Sequence, residues 1–423
     1  MVDMKMEELD KPKMSFFEVL TAMAIWKFAD APVDVAIVEV GMGGRWDATN
    51  VLDADAAIIG PIDMDHMAWL GNTVEQIASE KVGIIKPGCT AVIGHQPHEE
   101  AVMPIIEEAA RQNHANLVRD GIEAEVVTRI PAVGGQVATL RTPNGTYAEV
   151  PIAKFGEHQA HNALAALCAA EVVIPVNGAL DGDLVAEALS TVRIPGRIEQ
   201  IRTSPTIILD GGHNVNAAES LRAAIEENYD FQQLVGVIAM MGDKQVEEYL
   251  GVLEPLLSHV VVTENSWRDR VMPAEDLKTV AERVFGAERV TCVPELPDAI
   301  QEAVNMVDAD DELGVGYGHG VLICGSFTTA GDARLMLEEK VNPDLKKPKS
   351  ERVFQELLSR NRVRIRTRRI SISNPTPILI SISTISAVSV RNFPMMKILM
   401  LPKLSMRILH LLKICGNRIY AWQ

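Results

Sequence analysis

The sequence predicts an α/β protein built on parallel sheets, and three observations carry that expectation. Short β-branched apolar runs alternate with helix-length segments along much of the chain. The run Val35–Val40 contains one carboxylate, Glu39, and passes straight into the glycine turn Gly41-Met42-Gly43-Gly44, as a buried parallel strand with a functional loop does. A second strand–helix alternation begins after Pro195-Gly196-Arg197, a break that reads as an interdomain hinge.

Taken in order, 15–29 has helical apolar spacing. Ser15 is placed as N-cap and Glu18 three residues on completes a capping box. The strand 35–40 follows. A buried strand is expected at 56–62, a helix at 73–82, a short strand at 91–94 and a helix at 103–112. Residues 121–150 change character: β-branched alternation and an Asn144-Gly145 turn predict an antiparallel patch. Helices are expected at 159–173, rich in alanine, and at 183–191.

Beyond the hinge, strands are expected at 207–210, 234–239, 260–263, 290–293 and 321–324. Helices are expected between them at 217–228, 246–257, 274–284 and 296–307. Alternation of this kind predicts a second, doubly wound α/β domain. From about Ser350 the pattern fails. From Arg360 onward there are twelve Lys and Arg and no Asp or Glu, and 371–390 is a Ser/Ile-rich run. This tail reads as an out-of-frame or disordered extension rather than a basic binding arm.

Composition narrows the function classes. With 47% hydrophobic residues in 423, a large core is available. Aromatics at 4% and a formal charge of −17 disfavour a stacking or polyanion-binding surface, so nucleic acid is not an expected partner. Five scattered cysteines without a Cys-x-x-Cys pair predict neither disulfides nor a zinc site, and point to a cytoplasmic location. No secretory leader is read at the start, and no apolar run is long enough to cross a bilayer comfortably, so no membrane partner is expected.

Three residue types then stand out. Glu39 and His66 each lie just beyond an expected strand, where an open parallel sheet gathers its functional groups. Lys81 closes the next helix. A carboxylate and an imidazole suit a hard divalent cation supplemented by water and phosphate oxygens. An ammonium would repel the cation, so Lys81 joins only if neutralised and converted to a carbamate, which a shifted lysine pKa permits. Each also has a plainer role, as strand-end carboxylate, core histidine or solvated helix lysine.

The chain resembles the folylpolyglutamate synthase/dihydrofolate synthase family of the Mur ligase superfamily. The matching motifs run in family order over roughly residues 15–335. They are Ser15-Phe-Phe-Glu-Val-Leu-Thr21, Val38-Glu-Val-Gly-Met-Gly-Gly-Arg-Trp-Asp-Ala-Thr-Asn50, Asp65-His66, Leu70-Gly-Asn-Thr73 and Ile77-Ala-Ser-Glu-Lys-Val-Gly-Ile-Ile-Lys-Pro-Gly88. Gly156-Glu-His-Gln-Ala-His-Asn162, Pro195-Gly-Arg197, Leu209-Asp-Gly-Gly-His-Asn214 and Ser326-Phe327 continue the series. Gly242-Asp243-Lys244 is similar to a further family element, with Gln245 in place of its last acid.

The resemblance implies a Mur-ligase-like central ATPase domain over 1–193, a Rossmann-like C-terminal ligase domain over 194–345, and the tail from 346 to 423. It implies ATP and Mg2+ as cofactors and a monomer. Glu39, His66 and Lys81 would hold the metal, Lys81 as carbamate. Asn162, Arg197, Asp210 and His213 would hold ATP, and Lys81, Asp210 and His213 would serve catalysis. Ser15, Phe16, Phe17, Glu18, Trp46, Asp47 and Ala48 would line the pterin pocket. The implied reaction joins L-glutamate to dihydropteroate or a reduced folate through an acyl phosphate.

Enzymes of this family carry a glycine-rich phosphate loop ending in Gly-Lys-Ser/Thr after their first strand. No such loop occurs in these 423 residues. The expectation is therefore a chain that opens inside the first domain, lacking its first strand and that loop. The alternative function is a catalytically inactive fragment of the enzyme.

Overall fold

The computed structural model describes residues 13–31, 33–174, 178–309, 318–341 and 397–402. It divides into two compact units. The first comprises 1–195, 214–230 and 390–423; the second comprises 196–213 and 231–389.

The first unit is organised by a parallel sheet. Its strands are β1 (Val35–Val40), β2 (Ala56–Ile59), β3 (Thr90–Ile93), β4 (Asn116–Arg119) and β14 (Lys397–Pro402). Their order is β1-β14-β2-β3-β4, and every neighbouring pair is parallel. Side chains alternate between two cores, as the period of two requires. Ala56, Ile58 and Val92 join one cluster and Ala57, Ile59, Ala91 and Ile93 the other. All four residues of β2 are buried, which is the signature of a strand covered on both faces.

One face is covered by α3 (Val74–Lys81) and α4 (Glu99–Gln112), through Ile77, Ala78, Val102 and Ile106. The other is covered by α5 (Glu157–Val173), whose small side chains Ala160, Ala163, Ala166 and Ala169 allow close packing. An antiparallel sheet β5-β6-β7 (Glu125–Ala132, Gly135–Thr142, Gly145–Ile152) packs beyond it through Ala138, Leu140, Tyr147 and Val150. The β6–β7 turn residues are Pro143 and Asn144, with Thr142 paired to Gly145, one position earlier than the sequence suggests. The carboxylate of Glu171 in α5 is buried and accepts from Thr142, Asn144 and Tyr147, which ties the helix to that turn.

Helix α1 (Phe16–Asp30) keeps its expected cap but buries no residue. Helix α6 (Gly182–Thr191) packs on β7. Helix α7 (Val215–Asn228), which the sequence reading puts in the second domain, counts with the first unit. Arg129 of β5 makes two bonds to Glu227, the rings of Phe155 and Tyr229 lie 5.5 Å apart, and Gly156 faces Ala224.

The second unit holds β8 (Glu199–Thr203), β9 (Thr206–Leu209), β10 (Gln233–Ile238), β11 (His259–Glu264), β12 (Val290–Glu295) and β13 (His319–Cys324). Their order is β12-β11-β10-β13-β9-β8, parallel except for the antiparallel edge pair β8–β9. Helices α8 (Val246–Leu253), α9 (Ala274–Phe285), α10 (Leu296–Ala309) and α11 (Phe327–Val341) complete the doubly wound pattern. Among the described residues no helix is long and apolar enough to cross a membrane.

Several elements differ from expectation, among them helix α11, which the sequence reading leaves out. β4 and β8 are strands the sequence reading leaves out, because each is short and carries polar residues on a sheet edge. Helix α4 begins at Glu99, across Pro104, which sits in its second turn. Strand β14 falls inside the tail that was expected to lack structure, and it lies between β1 and β2 where an incomplete sheet was expected. Its run Lys-Ile-Leu-Met-Leu-Pro is apolar and strand-like, and Pro402 ends it, where a missing N–H matters least. The remainder of that tail lies outside the described residues.

Candidate active site

In the first unit the glycine loop after β1 is packed from two sides. A Cβ at Gly41 would stand 2.6 Å from the Phe17 ring and 3.0 Å from Asp47 Oδ2. A Cβ at Gly44 would stand 2.7 Å from the Glu80 carbonyl oxygen and 2.9 Å from that of Lys81. Gly83 returns the fit, since a Cβ there would meet the Arg45 backbone at 2.5 Å. Arg45 N–H donates to the Glu80 carbonyl at 2.9 Å and its guanidinium to that of Ser79 at 3.2 Å. The loop that follows Glu39 therefore lies directly on the end of the helix that carries Lys81.

Asp47 organises this loop from within. Its Oδ2 accepts from Met42 N at 2.8 Å, and its Oδ1 from Thr49 N and Oγ1 at 3.0 and 2.6 Å. Ala48 opens the short 3-10 turn that Asp47 caps. Asn50 Nδ2 donates to the Arg45 carbonyl, while its buried Oδ1 has no partner among the described residues. Lys86 Nζ donates to the Asn50 carbonyl at 2.9 Å, and burial lowers the Lys86 pKa.

Ser15, Phe16, Phe17 and Glu18 form the first turn of α1. Ser15 N–H donates to Glu18 Oε2 at 2.6 Å, and Glu18 N–H to Ser15 Oγ at 3.2 Å. These bonds hold the Glu18 carboxyl below its ordinary pKa. Phe16 is 80% exposed and Trp46 86%, an unusual state for large apolar rings.

Glu39 sits at the carboxyl end of β1. His66 is in the left-handed region at φ 53°, just before the short helix α2 (Met67–Leu70). Its N–H donates to Asp65 Oδ1, and Asp65 Oδ2 stands 3.6 Å from its Nε2. A backbone strained in this way is held by its surroundings. Among the described residues no three His, Cys, Asp or Glu side chains stand together as a metal cage. One carboxylate and one imidazole instead fit a magnesium that keeps most of its waters, to which a carbamate on Lys81 would add oxygen.

Asn162 lies on the first half of α5, half-buried. Beside it is a grouping the sequence reading missed. His161 Nδ1 lies 2.5 Å from Asp120 Oδ2, and its ring is 5.3 Å from that of His95. His95 and Asp120 leave the carboxyl ends of β3 and β4. The motif around His161 was visible, but Asp120 follows a strand that was not.

In the second unit Asp210 is buried at the end of β9. Its Oδ2 accepts from Ile198 N at 3.0 Å and its Oδ1 from Gly212 N at 2.7 Å. Gly211 N–H donates to the Gly196 carbonyl at 2.8 Å. Asp210 thus fastens the Pro195–Arg197 turn to the Gly211–His213 turn, and so brings Arg197, Asp210 and His213 together. The Arg197 guanidinium lies 3.9 Å over the Phe327 ring, and His213 lies 6.1 Å from the same ring. Tyr249 is fully buried below and donates to the Gly212 carbonyl at 3.2 Å. Burial pushes the phenol well above its usual pKa, so it remains a donor. Asp243 is paired with Arg270, and the helix after it begins only at Val246.

Comparison with known proteins follows this division. Residues 5–170 match the Mur ligase middle domain and 196–327 match the Mur ligase glutamate ligase domain. Fold and sequence thus define the class: an α/β Mur ligase, an enzyme group that forms amide bonds with ATP.

Within that class, a dihydrofolate synthase/folylpolyglutamate synthase of Mycobacterium tuberculosis is 44% identical over 338 residues, covering 77% of this chain and 69% of the relative. One from Escherichia coli is 32% identical, covering 77% and 70%. The chain belongs to the dihydrofolate synthase/folylpolyglutamate synthase family. Among solved structures, Mycobacterium tuberculosis folylpolyglutamate synthase complexed with ADP matches with a TM-score of 0.74 at 43% identity, over 79% of this chain and 74% of that one. Escherichia coli FolC in complex with DHPP and ADP matches with a TM-score of 0.65 at 26% identity, over 78% and 72%.

Proposed function

We propose that the chain joins L-glutamate to dihydropteroate or to a tetrahydrofolyl-(poly)glutamate at the expense of ATP. The observation that carries this reading is the glycine loop after Glu39 packed on the helix end bearing Lys81, in a chain 44% identical to a dihydrofolate synthase/folylpolyglutamate synthase.

A free carboxylate is a poor electrophile. In the proposed reaction a pterin-side carboxylate oxygen attacks the γ-phosphorus of ATP, and ADP departs. The amine of glutamate then attacks the acyl carbon, phosphate leaves, and the amine loses a proton. Arg197 supplies positive charge to the phosphates, and His213 lies beside them. Asn162 and Asp210 orient the nucleotide. Asp210 does so through the two turns it holds in register, and its fixed backbone lowers the reorganisation needed. Phe16, Phe17 and Trp46 offer apolar surface to a flat pterin ring, with Ser15, Glu18, Asp47 and Ala48 shaping its border. Glu39, His66 and a carbamylated Lys81 would hold magnesium, which when bound offsets phosphate charge. The division into an ATP domain over 1–193 and a ligase domain over 194–345 goes with this reading, as do a monomeric state and a cytoplasmic place of action.

A second reading is a protein that binds substrates without turning them over. It is favoured by the lack of any Gly-Lys-Ser/Thr loop in the sequence. One assay separates the two. Purified chain with ATP, magnesium, L-glutamate and dihydropteroate or tetrahydrofolate is followed by phosphate release and product mass. Release matched by a one-glutamyl mass increase supports the ligase. Nucleotide binding by calorimetry with no release supports the second reading.

A further inference from the structure

We propose that Phe327 is a positioning residue for the nucleotide, its ring presetting the Arg197 guanidinium and seating the Gly211–His213 turn. The role rests on the ligase reading above. Three contacts meet on this one side chain. Arg197 Cζ stands 3.9 Å over the ring centroid, within cation–π range. A Cβ at Gly211 would lie 2.5 Å from Phe327 Cδ1, so the turn lies flush on the ring and tolerates only glycine there. His213 lies 6.1 Å away with its ring tilted by 58°.

The ring is 48% exposed, which is much for a phenylalanine that contributes to a core, and its backbone is rigidly mounted. Ser326 and Thr329 on either side are buried. Ser326 Oγ accepts from Thr329 N at 3.0 Å, Asn265 Nδ2 donates to both hydroxyls, and Thr329 Oγ1 donates to the Ala239 carbonyl at 3.0 Å. A ring held this way has two torsions and little freedom. An arginine has many rotamers, and fixing its head before ligand arrives removes an ordering cost from phosphate binding. The same ring sets the turn that carries His213, so one side chain aligns two cationic or proton-bearing groups.

The test measures ATP affinity by calorimetry on the full chain, without folate or glutamate. Phe327→Ala and Phe327→Leu are each expected to weaken ATP about tenfold, because a leucine fills the seat but has no ring face for the cation. Phe327→Tyr is expected to stay within about twofold of wild type. Adding Phe327→Leu to Arg197→Ala is expected to cost less than about twofold further, since the ring acts through the guanidinium. Wild-type affinity in Phe327→Leu, or additive losses in the double variant, overturns the proposal while leaving the ligase reading intact. Wild-type chain that binds no ATP defeats the nucleotide reading itself and the proposal with it. Should Phe327→Ala not fold, the leucine and tyrosine variants decide alone.

Discussion

The guanidinium of Arg129 and the carboxylate of Glu227 meet through two parallel hydrogen bonds of 2.8 and 2.6 Å. They tie the antiparallel sheet to a helix almost a hundred residues on. Arg129 lowers the Glu227 pKa below its ordinary 4.5, and Glu227 raises that of Arg129. A depressed carboxyl pKa stabilises the fold fully above the unfolded value, and the gain is lost as pH falls through the lower folded value. Glu227→Gln is therefore expected to lose about 1–2 kcal/mol near pH 7. The difference from wild type should shrink steadily below about pH 4. Urea unfolding at a series of pH values checks this, and a constant offset down to pH 2 would contradict it.

Gly44 has no space for a side chain. A methyl group there meets two carbonyl oxygens under 3 Å away, on Glu80 and Lys81. Gly44→Ala must push the loop off the helix end, at about 1–3 kcal/mol. If the proposed metal site is right, it should also lower phosphate release in the ligase assay, whereas Gly242→Ala should leave it near wild type. Gly242→Ala is the control, since nothing lies within 4 Å of a Cβ there.

Tyr249→Phe removes a single buried hydroxyl and leaves the Gly212 carbonyl without that donor. The expected loss is about 1–2 kcal/mol of stability, with a weaker grip on ATP as the turn loosens. Thermal unfolding and nucleotide titration together read it. A variant with unchanged stability and ATP affinity would show the hydroxyl to be idle.

Met400 stands opposite Val38 on one side and Ala57 on the other. Proline at 400 removes a backbone donor from a strand with neighbours on both sides, at about 3 kcal/mol or more. Met400→Pro should lower the unfolding midpoint in urea and raise dye binding to exposed apolar surface. An unchanged midpoint would mean that 397–402 contributes nothing to the sheet.

Much of this architecture was legible because burial leaves a mark on sequence. Val35–Val38, Ile207–Leu209, Leu234–Ile238, Val260–Val262 and Val321–Cys324 are continuous apolar runs, and Ser15 with Glu18 states its own cap. The edge strands Asn116–Arg119 and Glu199–Thr203 were not, since one ladder partner and partial burial require little of the side chains. For the site, a lone strand-end charge before a glycine turn drew attention to Glu39, and the family motif to Asp210 and His213. What they do locally was hidden. Both oxygens of Asp47 and Asp210 accept backbone N–H groups, which only coordinates reveal. Phe327 was seen as part of a motif, yet nothing in Ser-Phe announces that Arg197 rests on it. Asp120 was missed because it follows the edge strand Asn116–Arg119, and its partner His161 lies far along the chain.

The strand Lys397–Pro402 gives the first unit an unusual birth order. On the ribosome, Val35–Val40 and Ala56–Ile59 emerge long before the strand that lies between them. Throughout synthesis of the intervening chain the two early strands keep open ladders facing each other, a state prone to capture by other chains. Yield in cells should therefore depend on chaperone supply and growth temperature more steeply than the finished protein's stability would suggest.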